Sequence, residues 1–155
     1  MSPAESTLNP ETHPYLKRFS PEHLALLEQC ATIAEFEEGS YLFREREQAR
    51  KQFLLLEGRV ALELNAPGQD PWILMTSGAN SIVGYAWAYP PYRYWYNCRV
   101  MQKTRAIVLD AEWMAAKCKE DHEFGYEILL GCTEIMAQRI QAADLQLLNL
   151  LLKCY

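Results

Sequence analysis

Between residues 32 and 109 the chain breaks into short apolar segments set apart by turn-forming residues, and this rhythm limits the fold more than any other feature. "TIAEF", "SYLFRE", "QFLLLEGRVALEL", "PWILMTSG", "SIVGY", "CRVM" and "RAIVLD" have the length and the β-branched or aromatic content of strands. Gly39, Gly58, "APGQDP" at 66–71, Gly78 and Gly84 punctuate them. Seven or more short strands predict a closed double sheet or barrel, because an open sheet would leave long unpaired edges. The "EG" step between "QFLLL" and "RVALEL" predicts a bend or bulge inside one continuing ribbon.

The flanks follow other rules. Residues 1–14, "MSPAESTLNPETHP", carry three prolines and little apolar content, and predict a mobile arm. In "SPEHLALLEQC", Ser20 is placed as N-cap and Pro21 at the first helical position, with Leu24, Leu26, Leu27 and Cys30 as the apolar face. Residues 15–122 form the expected helix-and-strand body, and residues 123–155 a separate long helix. From about 123 to 153, Leu129, Cys132, Met136, Ile140, Ala143, Leu147 and Leu151 recur every three or four residues. At 1.5 Å per residue such a helix spans roughly 45 Å, longer than one small barrel covers. Its end, "LQLLNLLL", holds six leucines in eight positions, so more than one face must be buried. One face belongs to the body; the other predicts a two-fold homodimer through Leu129, Met136, Ile140, Ala143, Leu147 and Leu151.

Charge and composition remove several function classes. The 155 residues carry a net charge of −5, with 50% hydrophobic and 23% charged residues, an ordinary globular balance for one domain. The acidic balance argues against a nucleic-acid partner for this chain alone, since phosphate contacts need clustered Lys and Arg. No apolar run approaches the roughly 18–20 residues of a membrane span. Cys30, Cys98, Cys118, Cys132 and Cys154 are odd in number and show no metal-ligand spacing, which predicts reduced thiols in a cytoplasmic protein. His13, His23 and His122 have no nucleophile or carboxylate at motif spacing, and residues 32–109 contain no histidine. Neither a catalytic set, a metal centre nor a cofactor is therefore expected.

Five segments carry a resemblance that spans about residues 19–152: "FEEGSYLFRE", "QFLLLEGRVALEL", "ILMTSGANSIVGYAW", "KTRAIVLDAEWM" and "IMAQRIQAADLQLL". In order and spacing they resemble the cyclic nucleotide-binding domain, the sensor half of the catabolite activator (Crp/Fnr-like) family, without its DNA-reading domain. The resemblance implies a mainly β, α+β fold: a short helix, an eight-stranded β-roll (jelly roll) and a long dimerisation helix. It also places the ligand site. Gly84 matches the glycine of the family's phosphate cassette, but Tyr85 stands where a ribose-binding Glu is usual. Tyr96 and Asn97 stand at the Arg-Ser positions that grip the phosphate, and Ala143 and Asp144 at the adenine-contacting hydroxyl positions. Arg46 stands about where the family has a turn glycine, so a tight left-handed turn is not expected there. An uncompensated phosphate would cost several kcal/mol, which makes Arg93 and Arg99 the candidate replacement cations; in a strand, Asn97 and Arg99 share a face.

The cassette region also holds the chain's densest aromatic run. "GYAWAYPPYRYWYN", residues 84–97, has seven rings around one arginine, and "PPYR" predicts a rigid loop tip. Three readings of Tyr85, Trp87, Tyr89, Tyr92, Tyr94, Trp95 and Tyr96 stay open. The rings fill the roll, or they line an altered pocket for an apolar or aromatic ligand, or they form a surface for a protein partner. The expected function is a non-catalytic regulatory module with a non-standard small ligand or none. A self-filled interaction scaffold and a true cyclic AMP or cyclic GMP binder are the alternatives.

Overall fold

The computed structural model describes residues 8–155. In chain order it contains a 3-10 turn Pro14–Arg18, α1 (Pro21–Glu28), β1 (Ala31–Phe36), β2 (Tyr41–Phe43), β3 (Lys51–Leu64), β4 (Trp72–Gly78) and β5 (Ile82–Val83). A second 3-10 turn, Tyr85–Ala88, leads towards β6 (Asn97–Asp110), α2 (Ala111–Glu120) and α3 (His122–Lys153). The six strands form one antiparallel sheet with the central order β1-β6-β3-β4.

Two 14-residue strands carry the architecture. The first half of β3 pairs with the second half of β6 and with β5, and β1 extends that group. The second half of β3 pairs with the first half of β6 and with β4, and β2 joins β6 there. One long ribbon thus serves both halves of a roll. The register of β3 against β6 shifts on both sides of Gly58, which has φ +97°, so the bend expected at "EG" falls inside a continuing strand. Phe53, Leu54, Leu55, Val60, Leu62, Val100, Ile107 and Leu109 are buried along this ribbon. Consecutive residues are buried rather than alternate ones, because both faces of the ribbon are covered.

The strand count is lower than seven or eight. "CRVM" and "RAIVLD" are one strand, β6, and residues 44–50 and 84–96 run mainly as turns. Arg46 does adopt the left-handed turn that its side chain argues against, with φ +70°. Its N–H donates to the Tyr94 carbonyl at 2.8 Å, and its own carbonyl accepts from Arg93 Nη1 at 2.9 Å. These bonds offset the roughly 1–2 kcal/mol cost of that backbone region.

The helix starts are set by side chains. Ser20 Oγ accepts from the His23 N–H at 3.2 Å, Asp110 Oδ1 from Trp113 at 3.0 Å and Asp121 Oδ1 from Phe124 at 3.1 Å. Phe124, Ile128, Gly131 and Cys132 bury the first third of α3 against the body, whereas every residue from 141 onward is exposed. Among the described residues no helix is long and apolar enough to cross a membrane. All five cysteines are free, and burial pushes the thiols of Cys30, Cys98 and Cys132 up to about 12.

Of the arm expected over residues 1–14, residues 8–14 are described, and Leu8 and His13 are buried there. His13 Nδ1 accepts from the Tyr15 N–H at 3.1 Å, which leaves Nε2–H to donate to the Ser81 carbonyl at 3.1 Å. The bond accepted at Nδ1 needs the neutral ring, and desolvation lowers its pKa below the ordinary 6.5, outweighing the Ser81 bond, which acts the other way. Between the depressed folded value and 6.5 the unfolded chain binds the extra proton, so stability rises with pH through that window. Folding stability should therefore fall as pH drops through and below 6.5. Urea midpoints across this range check it; His13→Gln should flatten the profile, and an unchanged slope would contradict the assignment.

Candidate functional site

The chain leaves β5 through Gly84, whose φ of +87° turns the backbone sharply. A Cβ at this position would come within 2.9 Å of the Lys51 carbonyl and 3.3 Å of the Phe53 ring. Glycine therefore lets this turn lie directly on β3, and the rings that follow are distributed on different sides of it.

Trp87 points inward, where its Nε1–H donates to Gln52 Oε1 at 2.7 Å. Tyr94 stacks on Phe43 with centroids 3.9 Å apart, and its hydroxyl donates to the Lys51 carbonyl at 2.6 Å. Burial pushes the Tyr94 phenol up to about 12. Together with Phe43, Tyr85 and Tyr96 the Tyr94 ring leaves only about 10 Å³ of free space behind Gly84. The niche at Gly84 is filled. Tyr89, Tyr92 and Trp95 instead stay at the surface, Trp95 being 73% exposed, around the turn closed by the Tyr92 N–H to Tyr89 carbonyl bond at 2.9 Å.

Open space lies on the other side of Tyr85 and Tyr96, between the sheet and α3. A cavity of about 550 Å³ is floored by Leu62, Leu74 and Met75, walled by Tyr85, Tyr89, Trp95 and Tyr96, and roofed by Met136, Arg139, Ile140 and Ala143. Its lining is apolar apart from phenol and indole groups, Gln146 and one guanidinium. Arg139 Nη1 donates to Tyr96 Oη at 2.6 Å and Nη2 to the Ile82 carbonyl at 3.1 Å. Its Cζ also lies 5.2 Å from the Tyr85 ring centroid and 5.8 Å from that of Tyr96. Burial raises the Tyr96 phenol, while the Arg139 charge opposes the shift. The phenol is neutral at pH 7.

Tyr85, Trp95, Tyr96 and Ala143 of the sequence-derived site residues border this cavity, and Gly84 borders the filled niche. Trp87 does not reach it, being held at Gln52. The two candidate cations lie elsewhere. Arg93 is spent on the Arg46 carbonyl at the loop surface, and Arg99 Nε is held 3.3 Å from the buried Glu63 carboxylate. Asn97 is buried with its Oδ1 accepting from the Glu45 N–H and its Nδ2 donating to Asn65 Oδ1. Although Asn97 and Arg99 share a strand, the face they occupy is that of Glu63 and Asn65. Asp144 is exposed on α3. The cation that reaches the rings, Arg139, comes from a helix 43 residues beyond Tyr96. Its sequence signal is its position one turn before Ala143, on the same helix face.

Comparison with known proteins bears on the fold that carries this site. Residues 33–121 match the cyclic nucleotide-binding domain family. No curated protein sequence matches the chain. Among solved structures, a candidate cyclic nucleotide-binding protein from Geobacter metallireducens GS-15 superposes with a TM-score of 0.77 at 19% identity, over 86% of this chain and 99% of that one. A cyclic nucleotide-binding domain from Methylobacillus flagellatus KT gives 0.75 at 18% identity, over 84% and 74%. The Thermus thermophilus catabolite activator protein gives 0.68 at 18% identity, over 88% and 62%. These identities speak for the fold. With more than half of its length inside the matched segment, on a roll closed by a long helix, the chain belongs to the cyclic nucleotide-binding domain family.

Proposed function

We propose that the chain is a non-catalytic regulatory module that takes a small, largely apolar ligand between its roll and α3, and pairs with a second copy through α3. The observation that carries this reading is the displacement of free volume. The niche behind Gly84 has about 10 Å³, whereas the space between Leu62, Tyr96 and Ile140 has about 550 Å³, a size usual for ligand cavities. A cyclic nucleotide needs room for its phosphate beside the cassette glycine and a polar partner for its ribose. Phe43, Tyr94 and Tyr96 occupy the first, and Tyr85 supplies a phenol where the family places a carboxylate. Occupancy would act on the seat of α3 against the roll, a candidate two-state element because Arg139 ties the helix to both Ile82 and Tyr96.

Thermal unfolding tests the reading, since any ligand that binds only the folded chain raises the melting temperature. Cyclic AMP and cyclic GMP at millimolar concentration should leave the midpoint unchanged. The neutral aromatic probe 2-naphthylacetamide should raise it, and Leu62→Trp, which fills the cavity floor, should abolish that rise. A cyclic nucleotide that saturates at micromolar concentration would overturn the assignment. The Phe43–Tyr94 stack and the surface rings Tyr89, Tyr92 and Trp95 favour a second reading, a self-filled scaffold with an aromatic rim for a protein partner. Silence of this probe and of its acid, 2-naphthylacetate, selects it.

A further inference from the structure

Arg139 is a cation without an anion. Its two hydrogen bonds go to neutral acceptors, the Tyr96 hydroxyl and the Ile82 carbonyl, and among the described residues no carboxylate pairs with it. Arg18, Arg99 and Arg105 differ, each having a glutamate within 4 Å: Glu134 at 2.7 Å, Glu63 at 3.3 Å and Glu57 at 3.9 Å. A half-buried charge beside apolar walls is costly when it is left unpaired. The neighbouring position is informative too. Tyr85, whose ring centroid lies 5.2 Å from the guanidinium carbon, offers it a π face and no negative charge.

Arg139 also borders both cavities on this side of the roll. Beyond the apolar one lies a second of about 340 Å³ with a polar lining that includes Ser77, Asn80, Ser81 and Gln138. Guanidinium has five N–H groups, and two bonds leave donors free for a further acceptor without releasing Tyr96. The only other arginine in the second cavity, Arg18, is already neutralised by Glu134. One unpaired cation therefore faces the whole space.

Resting on the ligand-site reading above, we propose that the cavity selects a monoanionic ligand, with an apolar ring-bearing body against Leu62, Leu74 and Ile140 and a single acidic group paired with Arg139. Selectivity comes from the match of one charge to one charge. A neutral ligand of the same shape leaves Arg139 unpaired, and a second negative group finds no partner. A charge-assisted bond of this kind is worth about tenfold or more in affinity.

Calorimetric titration of the intact chain with 2-naphthylacetate and its neutral isostere 2-naphthylacetamide tests the proposal, because the pair shares its shape and differs at one end, where a neutral NH2 replaces a charged carboxylate oxygen. The acid should bind about tenfold more tightly than the amide. Arg139→Gln should bring the ratio to about one. Tyr85→Glu should do the same with Arg139 retained, by placing a carboxylate under the guanidinium, so the loss cannot be ascribed to a missing arginine's effect on folding. Circular dichroism confirms that each variant keeps its helix content. Equal binding of acid and amide to the parent chain would overturn the charge selectivity and leave the ligand-site reading standing. A preference that survives both substitutions would show that the acid is read elsewhere and overturn the role of Arg139. Absence of binding by either probe would overturn both proposals together.

Discussion

Gly58→Ala should cost roughly 3–4 kcal/mol of folding stability, the sum of a left-handed backbone penalty and local overpacking. Gly58 has φ +97°, and a Cβ there would meet the Lys103 carbonyl at 2.5 Å and Thr104 Cα at 2.6 Å, with the Thr104 hydroxyl closer still. That hydroxyl is itself committed to the Gln102 carbonyl at 2.8 Å, and Thr104 is buried, so neither can retreat into solvent. Here β3 presses its backbone against β6 at the bend where one half of the roll passes into the other. The second half of β3, which supplies Leu62 to the cavity floor, takes its direction from this bend. Gly68→Ala is the matched control: φ is +70° but nothing lies within 4 Å of its added Cβ, so only about 1–2 kcal/mol is at stake. Urea unfolding of the two variants separates them. Equal losses would mean that backbone conformation, and not the approach of β6, sets the requirement for glycine.

That bend is legible in the sequence because glycine between two apolar runs has few other uses. The cap at Ser20 and the span of α3 are legible for similar reasons, since both depend on neighbours within four residues. Strand number is not. "CRVM" and "RAIVLD" look separate because Gln102, Lys103 and Thr104 interrupt the apolar run, yet strand pairing of Thr104 with Phe36 and of Gln102 with Arg59 carries β6 through this stretch. Arg46 shows the limit of arguing from side chains alone. Its φ of +70° is held by bonds to Tyr94 and Arg93, both far along the chain.

The candidate site divides along the same line. Gly84, Tyr85 and Tyr96 lie in one local segment whose spacing can be read directly, and a replacement positive charge is naturally looked for beside them. Arg93 and Arg99 are close along the chain but are drawn off by the Arg46 carbonyl and by Glu63. Arg139 reads in isolation as one polar residue of a long helix. It becomes part of the site only when α3 crosses the cassette and sets its guanidinium 2.6 Å from the Tyr96 hydroxyl. Long-range crossing of a helix over a sheet decides the chemistry, and no periodicity within the helix reports where that crossing falls.

The double substitution Leu147→Glu and Leu151→Glu should convert the proposed dimer into monomers, raising its dissociation constant by at least about a thousandfold. Leu147 is 56% exposed and Leu151 51% exposed, and both lie in the part of α3, from residue 141 onward, where every residue is exposed. Fully burying one leucine is worth about 1.5–3 kcal/mol, and a two-fold seam counts each position twice. Adding four carboxylates to an apolar seam opposes pairing further. The choice of face matters, because Leu145, Leu148 and Leu152 are exposed as well. At about 100° per residue, Ile140, Leu147 and Leu151 fall on one stripe that continues from Leu129 and Met136, while Leu145 lies about 140° away. Leu145→Glu therefore serves as the control and should leave the assembly intact. Sedimentation velocity at micromolar concentration reads both variants. A parent chain that is monomeric there removes the pairing altogether. Dissociation by the Leu145 change, with Leu147 and Leu151 tolerant of charge, would move the seam to the opposite stripe of α3.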